Sequence, residues 1–558
     1  MDNNQKTLAS QRALLADAKA RGGLATVHAF LKLSGPGWLQ SAITLGGGSL
    51  AGALFLGVLG GYTLLWLQLV AVSFGVIMLG AISYVALSSG ERPFAAIRRH
   101  ISPVLAWGWA GATMMANIVW CLPQFSLSVA ATRQNLFPGL LGNEGPLGET
   151  GSKLLVSLLL LAVAMGVVSM YGRKGRGIKI FEGILKLMVA LIVLCFVGVV
   201  VKLALGPGLP WGEILSGFIP RLSNWSEPSA AFAPLLEAVA PEFRAYWTQV
   251  IIGMQRDVMI AAASAAVGIN MTFLLPYSLL NKGWTREFRG MSQFDLVLGM
   301  AIPFVLVTSC IVIASASQFH ARPGTGLLEG AGAPKNLVAQ YEKQLNARLA
   351  LELGPTTSSL SADELSARAK ALPEADRRLA ATLVTRDAFN LAETLAPLTG
   401  PRVANIVFGL GVFAMGLSTI VILMLISGFV ITEVFGFPPG GRAQRWGSFI
   451  PAIGALGPFV WSGKVAFWLA VPTSVFAMAL LPIAYLTFLV MMNSRRVLGD
   501  ERPRGGSRVV WNILMVAAAG SASVASVWTI WNKSGWWGTG ALIAFIVAIA
   551  ATWRRKAD

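Results

Sequence analysis

Charged side chains are scarce in this 558-residue sequence. Asp, Glu, Lys and Arg make up 13% of the chain, hydrophobic residues make up 55%, and the mean hydropathy is +0.65. Soluble globular domains carry about 25% charged residues, so the composition excludes a soluble protein. It predicts a chain that crosses a lipid bilayer many times.

Cysteine and histidine are also scarce, with three residues of each. Cys121, Cys195 and Cys310 lie inside long apolar runs, where a thiol is typically a small packing group, so we expect neither disulfides nor a cysteine metal site. The histidines lie outside those runs, so proton coupling through a histidine has no obvious carrier. The sequence shows no nucleophile with a base and no phosphate loop after a strand. We therefore expect neither an enzyme nor a bound cofactor.

Long apolar runs account for most of the chain. A membrane-spanning helix needs about 20 predominantly apolar residues, and twelve runs approach that length. They cover approximately residues 36–60, 62–88, 104–131, 154–172, 180–205, 250–280, 297–317, 403–431, 447–463, 466–492, 510–530 and 537–553. The sequence therefore predicts an all-α polytopic membrane protein with about 12 transmembrane helices.

The basic residues are distributed unevenly between the two sides of the predicted membrane. With the N-terminus inside, the inner segments hold 25 Lys and Arg residues, whereas the short outer loops hold six. This asymmetry follows the positive-inside rule, so the net charge of +18 reports topology and not a nucleic-acid partner. We expect an integral protein of a bacterial inner (plasma) membrane with both termini cytoplasmic and the lipid bilayer as a partner. The sequence leaves the oligomeric state open.

This topology divides the chain into five parts. They are a cytoplasmic N-terminal segment at 1–33, spans one to seven within 34–318, an extracytoplasmic helical insertion at 319–400, spans eight to twelve within 401–553, and a cytoplasmic tail at 554–558. The insertion is polar, and Ser361 precedes Glu364 by three residues as in a capping box. It is either a decorative addition or a lid over the outer vestibule.

Two of the predicted spans are interrupted by polar residues and glycines. Span one contains the stretch Gly46-Gly47-Gly48-Ser49, and span six reads VGINMTFLLPYSLL, with breaks expected near 46–49 and 270–273. A glycine costs a helix about 1 kcal/mol relative to alanine. Irregular backbone inside a bilayer is tolerated only where protein or a water-filled cavity satisfies its polar groups. Interruptions five spans apart are typical of transporters made of two inverted repeats, whose substrate sites lie at the breaks.

Several segments resemble the Nramp (natural resistance-associated macrophage protein) divalent-metal transporters. The first span begins with GPG and runs at the family's spacing into GYTLLW, and the likeness covers most of residues 34–500. Further matching segments are RGIKIFEGILKLMVALI, FGLGVFAMGLSTIVILMLISGFVITEVFG and TSVFAMALLPIAYLTFLVMMNSRRVLG. The resemblance implies a LeuT-type fold, a 5+5 inverted repeat with broken helices 1 and 6, and secondary transport.

The chain departs from the family at the residues that hold the metal. Aligned without gaps, the family's first-span Asp, Pro and Asn fall on Gly46, Gly47 and Ser49. The sixth-span Met and His fall approximately on Thr272 and Leu274, the tenth-span Gln on Ser474, and the third-span acidic pair approximately on Pro123 and Ser126. A dehydrated dication needs anionic or soft ligands to offset its desolvation. We therefore expect no transition-metal site.

The remaining candidates for a binding site are neutral. Without the Asp, the N–H groups of Gly47, Gly48 and Ser49 at the start of a half-helix favour an anionic group. The predicted substrate-binding residues are Thr44, Gly46, Gly47, Gly48, Ser49, Asn270, Thr272, Phe273, Tyr277 and Ser474. Ser418 and Thr419 are a possible sodium site, as in transporters of this fold. The alternative is a glycine kink that only lets helices pack closely.

Three kinds of function stay open at this point. The sequence favours a secondary transporter whose substrate is altered, either a small organic or anionic solute or a hydrated cation such as Mg²⁺, which needs fewer protein ligands. A receptor or sensor that keeps the fold without transport is the alternative. Glu182 and Asp257, acidic residues within spans, have Lys186 and Arg256 nearby in sequence, so neutralised ion pairs are expected there.

Overall fold

The computed structural model describes residues 3–143, 145–171, 176–206, 208–330, 332–333, 335–354, 360–386, 400–460 and 470–553. All regular structure in these ranges is helical. The helices used below are α1 (Asn3–Arg21), α2 (Gly23–Leu33), α3 (Pro36–Thr44), α4 (Gly47–Gly60), α5 (Leu65–Ser89), α6 (Pro93–His100), α7 (Pro103–Ala131), α8 (Gly148–Tyr171), α9 (Arg176–Ala204), α10 (Pro241–Ala266), α11 (Ile269–Asn281), α12 (Arg289–Leu296), α13 (Ile302–Phe319), α14 (Lys335–Leu353), α15 (Ala362–Lys370), α16 (Glu374–Thr382), α17 (Pro401–Val434), α18 (Ala470–Asn493) and α19 (Gly505–Ala551). Shorter helices cover Pro138–Leu141, Trp211–Ser216, Ala233–Glu237, Arg442–Ser448, Gly457–Val460 and Arg495–Leu498.

The long apolar helices confirm a polytopic membrane protein. Within the described ranges, nine segments are long and apolar enough to cross a membrane, or ten when the bent pair α3 and α4 counts as one span. The spans join closely where small residues face each other. A Cβ atom built at Gly57 of α4, for example, would lie 2.6 Å from the carbonyl oxygen of Val312 in α13, so only glycine permits this approach.

The last helix, α19, contains the predicted spans eleven and twelve. Its backbone reverses at Gly535, which has φ +53° and ψ −139°, a conformation that side chains with a Cβ rarely adopt. Trp511 near its start packs on Tyr84, and Thr552 just after its end lies 2.7 Å from Ser102. Both ends of α19 are therefore near the same end of the bundle.

The predicted ninth span is not one continuous helix in its described part. Arg442–Ser448 is followed by a 3₁₀ segment, Ile450–Leu456, and then by Gly457–Val460. Pro451 and Pro458 each lack the N–H that a continuing helix would use. Residues 461–463 of this span, 466–469 of the predicted tenth span, 387–399 of the insertion and the tail at 554–558 lie outside the described residues.

The N-terminal helices pack against loops at one end of the bundle. Arg12 of α1 forms an ion pair of 2.5 Å with Glu287, and Gln11 accepts a hydrogen bond of 3.1 Å from Trp284. Glu501, which precedes α19, pairs with Arg289 of α12 at 2.6 Å. These contacts gather the N-terminal segment and the 284–289 and 495–505 loops at one end.

The insertion is helical and docks on α10 at the opposite end. Ser361 and Glu364 form the predicted capping box at the start of α15. Asp376 of α16 accepts hydrogen bonds from Trp247 of α10 at 2.7 Å and from Arg348 of α14 at 2.9 Å. A buried acid–base pair thus ties two insertion helices to the first turns of the sixth span.

Candidate functional site at the paired helix breaks

The first span is broken at Leu45 and Gly46. The helix α3 ends at Thr44, Gly46 takes an extended conformation with φ −103° and ψ −177°, and α4 begins at Gly47. The two halves meet at an angle of 54°. The break therefore lies at the start of the glycine stretch, and Gly47, Gly48 and Ser49 form the first turn of the second half-helix.

The sixth span is broken at Val267 and Gly268. Both residues are extended, between α10, which ends at Ala266, and α11, which begins at Ile269. The break precedes the expected position at Asn270 to Phe273, because those residues start α11. Pro276 lies inside α11.

The two breaks lie against each other in the centre of the bundle. The hydroxyl of Thr44 is 3.4 Å from the carbonyl oxygen of Ala266 and 3.4 Å from Met271 Sδ. Ser49 donates a hydrogen bond to the carbonyl of Thr44 and lies 3.4 Å from that of Ala265. Two helix N-termini, which favour negative charge, and two C-termini, which favour positive charge, therefore meet at one place.

The N–H groups of α4 differ in whether they are already used. Gly47 N–H donates to Gln124 Oε1 of α7 at 2.9 Å. Within the described part of the chain, no acceptor bonds to the N–H of Gly48 or Ser49. Both residues are buried. Two of the three predicted donors, the N–H groups of Gly48 and Ser49, are thus available to a ligand. The N–H of Gly47 is already bonded to the side-chain amide of Gln124 in the third span.

Ser474 and Trp120 lie beside Gly48. Ser474 Oγ is fully buried and has no hydrogen-bond partner among the described residues. A Cβ atom built at Gly48 would lie 2.9 Å from this oxygen and 3.9 Å from the ring of Trp120. Trp120 Nε1 donates to the carbonyl of Thr473 at 3.1 Å, which fixes the indole across the site. The absence of a side chain at Gly48 permits this close approach of Ser474.

The other predicted residues of span six lie in and below the first turn of α11. Asn270 Oδ1 accepts from the N–H of Met271 at 3.0 Å, and Thr272 accepts from Trp109 Nε1 at 3.0 Å. Phe273 stacks on Tyr277 with ring centroids 4.5 Å apart, and Tyr277 accepts from the N–H of Phe94 at 3.2 Å. Thr272, Phe273 and Tyr277 thus belong to a packed aromatic layer on the α6 side of the breaks.

The predicted sodium-site residues lie on α17 beside the first break. Ser418 Oγ donates to the carbonyl of Ala42 at 2.8 Å, and Thr419 Oγ1 donates to that of Met415 at 2.8 Å. Thr419 Oγ1 is also 3.5 Å from the Ala42 carbonyl. A Cβ atom built at Gly46 would overlap the Thr419 hydroxyl, which explains why glycine fits here.

Comparison with known proteins identifies the family. The sequence model described as "Natural resistance-associated macrophage protein-like" (Nramp) matches residues 37–362 and 365–532. The chain belongs to the Nramp family. No curated protein sequence matches it. This membership confirms the resemblance read from the first two spans.

Solved structures of an Nramp transporter share the fold. A manganese transporter of Eremococcus coleocola in complex with an aromatic bis-isothiourea substituted compound has a TM-score of 0.61 at 12% identity, with 95% of each chain covered. A histidine-to-alanine variant and a glutamate-to-glutamine variant of that transporter give TM-scores of 0.59 and 0.60 at 13% identity, again with 95% of each chain covered. The fold is thus that of a LeuT-type membrane transporter, as the sequence predicts.

The breaks of this Nramp chain are chemically neutral. Among the described residues, no group of three or more His, Cys, Asp and Glu side chains is placed to hold a metal ion. The side chains around the breaks are hydroxyls, amides, Met271 and aromatic rings. Such groups are poor substitutes for the ligands that a dehydrated transition metal needs.

Sequence reasoning missed Gln124 and Trp120 as parts of the site. Gln124 is 1% exposed and Trp120 is 5% exposed. Both belong to the site because α7 packs against the two breaks. A glutamine within an apolar span was the available signal for the first, since an uncharged amide in a membrane needs a hydrogen-bonding partner. No sequence signal distinguishes Trp120 from the other tryptophans of the spans.

The acidic residues of the spans have partners from distant segments. Glu182 pairs with Lys282 at 2.8 Å, whereas Lys186 donates to the carbonyl of Ser34 at 3.0 Å. Asp257 pairs with Lys533 of α19 at 2.7 Å. The expectation of paired charges is met, but the expected partners Lys186 and Arg256 are wrong.

Proposed function

We propose that this Nramp-family transporter carries a small organic solute with an anionic group, in place of a free transition metal. The observation that carries the proposal is a set of three polar groups at the first break that have no hydrogen-bond partner in the described part of the chain: the N–H of Gly48, the N–H of Ser49 and Ser474 Oγ. A carboxylate accepts hydrogen bonds from such donors and is stabilised by the positive end of α4. Asn270 contributes a further amide.

A hydrated cation such as Mg²⁺ is the second candidate. Among the described residues, the carbonyl oxygens of Ala265 and Ala266 have only hydroxyl contacts of 3.4 Å, so they are able to accept hydrogen bonds from water around a cation. Such an ion keeps most of its water and needs few protein ligands. The third candidate function is a receptor that binds the organic solute without transporting it.

We further propose the topology and the coupling ion. The excess of basic residues on one side supports cytoplasmic termini, an extracytoplasmic insertion at 319–400 and a bacterial inner membrane. Sodium, held by Ser418, Thr419 and the Ala42 carbonyl, is the proposed coupling ion, because these three oxygens converge beside the break.

The test begins with a thermal-shift screen of the purified protein against metals, amino acids and small organic acids. A ligand that binds only the folded state raises the melting temperature. Stabilisation by an organic acid supports the first candidate, and stabilisation by Mg²⁺ alone supports the second. Micromolar Mn²⁺ binding would overturn both. Uptake of the hit into proteoliposomes then separates a transporter from a receptor.

The variant Gly48→Ala tests whether a ligand found in the screen binds at the first break. Its Cβ would occupy the space beside Ser474 Oγ, so affinity should fall at least tenfold. Gly253→Ala of α10 is the matched control, because a Cβ there meets nothing within 4 Å. Gly47→Val is the harsher variant and should abolish binding, although its side chain would also overlap Leu127. Unchanged affinity in a folded Gly48→Ala protein would leave the glycines as a packing kink.

A further inference from the structure

A cavity lies away from the breaks, between the spans and the insertion. Its volume is about 290 Å³, and its walls come from α4, α10, α18, the first half of α19 and residues 383–385. The lining is mainly apolar and includes Phe55, Val258, Val475 and Ala479. Phe55 is seven residues beyond Gly48, so the cavity begins about 10 Å from Gly48 along α4.

The close contact of α4 with α10 lies between this cavity and the breaks. A Cβ atom built at Gly52 would lie 3.2 Å from the Cα atom of Ala262. Gly52 is four residues after Gly48 and three before Phe55, on the same face of α4. The cavity is therefore a separate compartment on the outer side of the Gly52–Ala262 contact.

Two polar features of the lining define what fits there. Thr529 Oγ1 of α19 is buried and has no hydrogen-bond partner among the described residues, and the Thr529 side chain lines the cavity. Asp257 and Lys533 also line it, but they neutralise each other at 2.7 Å. A charged ligand would leave its charge among apolar side chains, which is costly. A neutral ligand with one polar group avoids that cost and satisfies Thr529.

We infer that this outer cavity, defined by Phe55, Val258, Val475, Ala479 and Thr529, binds a small uncharged molecule with an apolar body and one hydrogen-bonding group. An apolar cavity of about 150 Å³ is large enough to bind benzene, so this one accommodates a substituted aromatic ring. The inference does not depend on what binds at the breaks. Its ligand touches α4 and α10, which carry the two breaks, together with α18 and α19.

The probe is a photoreactive benzyl alcohol with a trifluoromethyl-diazirine group on the ring. The full-length protein in lipid nanodiscs is labelled by irradiation, and the labelled residues are mapped by mass spectrometry. We expect saturable labelling of α18 and α19 near Val475 and Thr529 that excess benzyl alcohol suppresses. The benzoate analogue should need at least tenfold higher concentration, because its charge has no free partner.

Three variants decide whether the label reports this cavity. Val475→Trp fills it and should abolish saturable labelling, with Ala479→Phe as a second filling variant if the first fails to fold. Val524→Trp is the matched control, since Val524 is 72% exposed on α19. Thr529→Val keeps the shape and removes the hydroxyl, so half-saturation should rise at least threefold. Labelling that persists in both filled variants, or that is confined to lipid-facing residues, would overturn the inference.

Discussion

Asp295 holds α3, the first half of the broken first span, in place, and its removal should release that half. The carboxylate lies on α12 and is 1% exposed. It accepts a hydrogen bond from Ser34 Oγ, one of 2.6 Å from the N–H of Gly37 and one of 3.2 Å from the N–H of Gly35. A residue from the seventh span thus caps the N-terminus of α3.

The size of the effect follows from these three bonds. A buried donor left without an acceptor costs about 1–3 kcal/mol. Asp295→Ala strands two backbone N–H groups and a hydroxyl, so we expect a loss of about 3–5 kcal/mol in the free energy of unfolding. Asp295→Asn keeps one acceptor oxygen and should lose less. The exposed Asp500→Asn, whose side chain is 93% exposed, should change stability by less than about 0.5 kcal/mol.

Two measurements separate local release from general damage. The melting temperature in detergent should be highest for Asp500→Asn, lower for Asp295→Asn and lowest for Asp295→Ala. Hydrogen–deuterium exchange should increase in α3 (Pro36–Thr44) while α4 keeps its protection, because the cap acts only on α3. An Asp295→Ala protein with wild-type melting and wild-type exchange in α3 would refute the proposed cap.

Three further results are expected. Gly46→Asp alone should not create micromolar Mn²⁺ binding by calorimetry, because its Cβ overlaps Thr419 Oγ1 and the neighbouring ligand positions stay neutral; micromolar binding would contradict this. Burial lowers the pKa of His320 below its usual value of 6.5, and its bond to the Val58 carbonyl only partly offsets that effect. Since the unfolded state then binds more protons, stability is full above pH 6.5 and falls as the pH drops towards the lowered pKa; His320→Gln should melt with a weaker pH dependence, and an equal dependence would exclude this role. Sodium should raise the melting temperature of the wild type but not of Ser418→Ala, and an equal rise in both would remove the sodium site.

The broken spans were predictable because backbone chemistry is local. Three adjacent glycines inside an apolar run mark a place where a helix is weak. Their position within the break was harder to predict. Glycine is tolerated in the first turn of a helix as well as outside it, so Gly47 and Gly48 start α4 and only Gly46 is extended. In span six, Val267 and Gly268 interrupt the helix, and Asn270 lies in the first turn of α11.

The partners of buried polar groups were not predictable in the same way. Glu182 has a lysine one turn away in sequence, yet it pairs with Lys282 from the end of α11. The i,i+4 partner Lys186 instead reaches the carbonyl of Ser34. The partner of each charged side chain depends on which spans become neighbours in the bundle. The pattern of apolar residues along the chain does not determine that. Gln124 could be recognised only as an amide in need of a partner.

The insertion offers a test of whether it is a lid or a decoration. Asp376 and Arg348 are 0% and 1% exposed, and Trp247 joins them from α10. Removing one member of a buried ion pair costs about 3–5 kcal/mol, because the other charge stays buried without its partner. Asp376→Ala should therefore undock α14 and α16 from α10 and make Lys343 and Lys370 sensitive to trypsin, while Asp363→Ala, at an exposed position of α15, should not.

The undocked variant also tests whether the insertion controls access to the outer cavity. Residues 383–385, which follow α16 directly, line the outer cavity together with Phe55. If the insertion is a lid, a cysteine placed at Phe55 should react with a membrane-impermeant thiol reagent at least tenfold faster in the Asp376→Ala background. The same background without Phe55→Cys corrects for Cys310, which is partly buried. Trypsin sensitivity without any change in the reactivity at position 55 would show that the insertion covers α10 but does not control access, since the cavity would be equally open with the insertion docked or released.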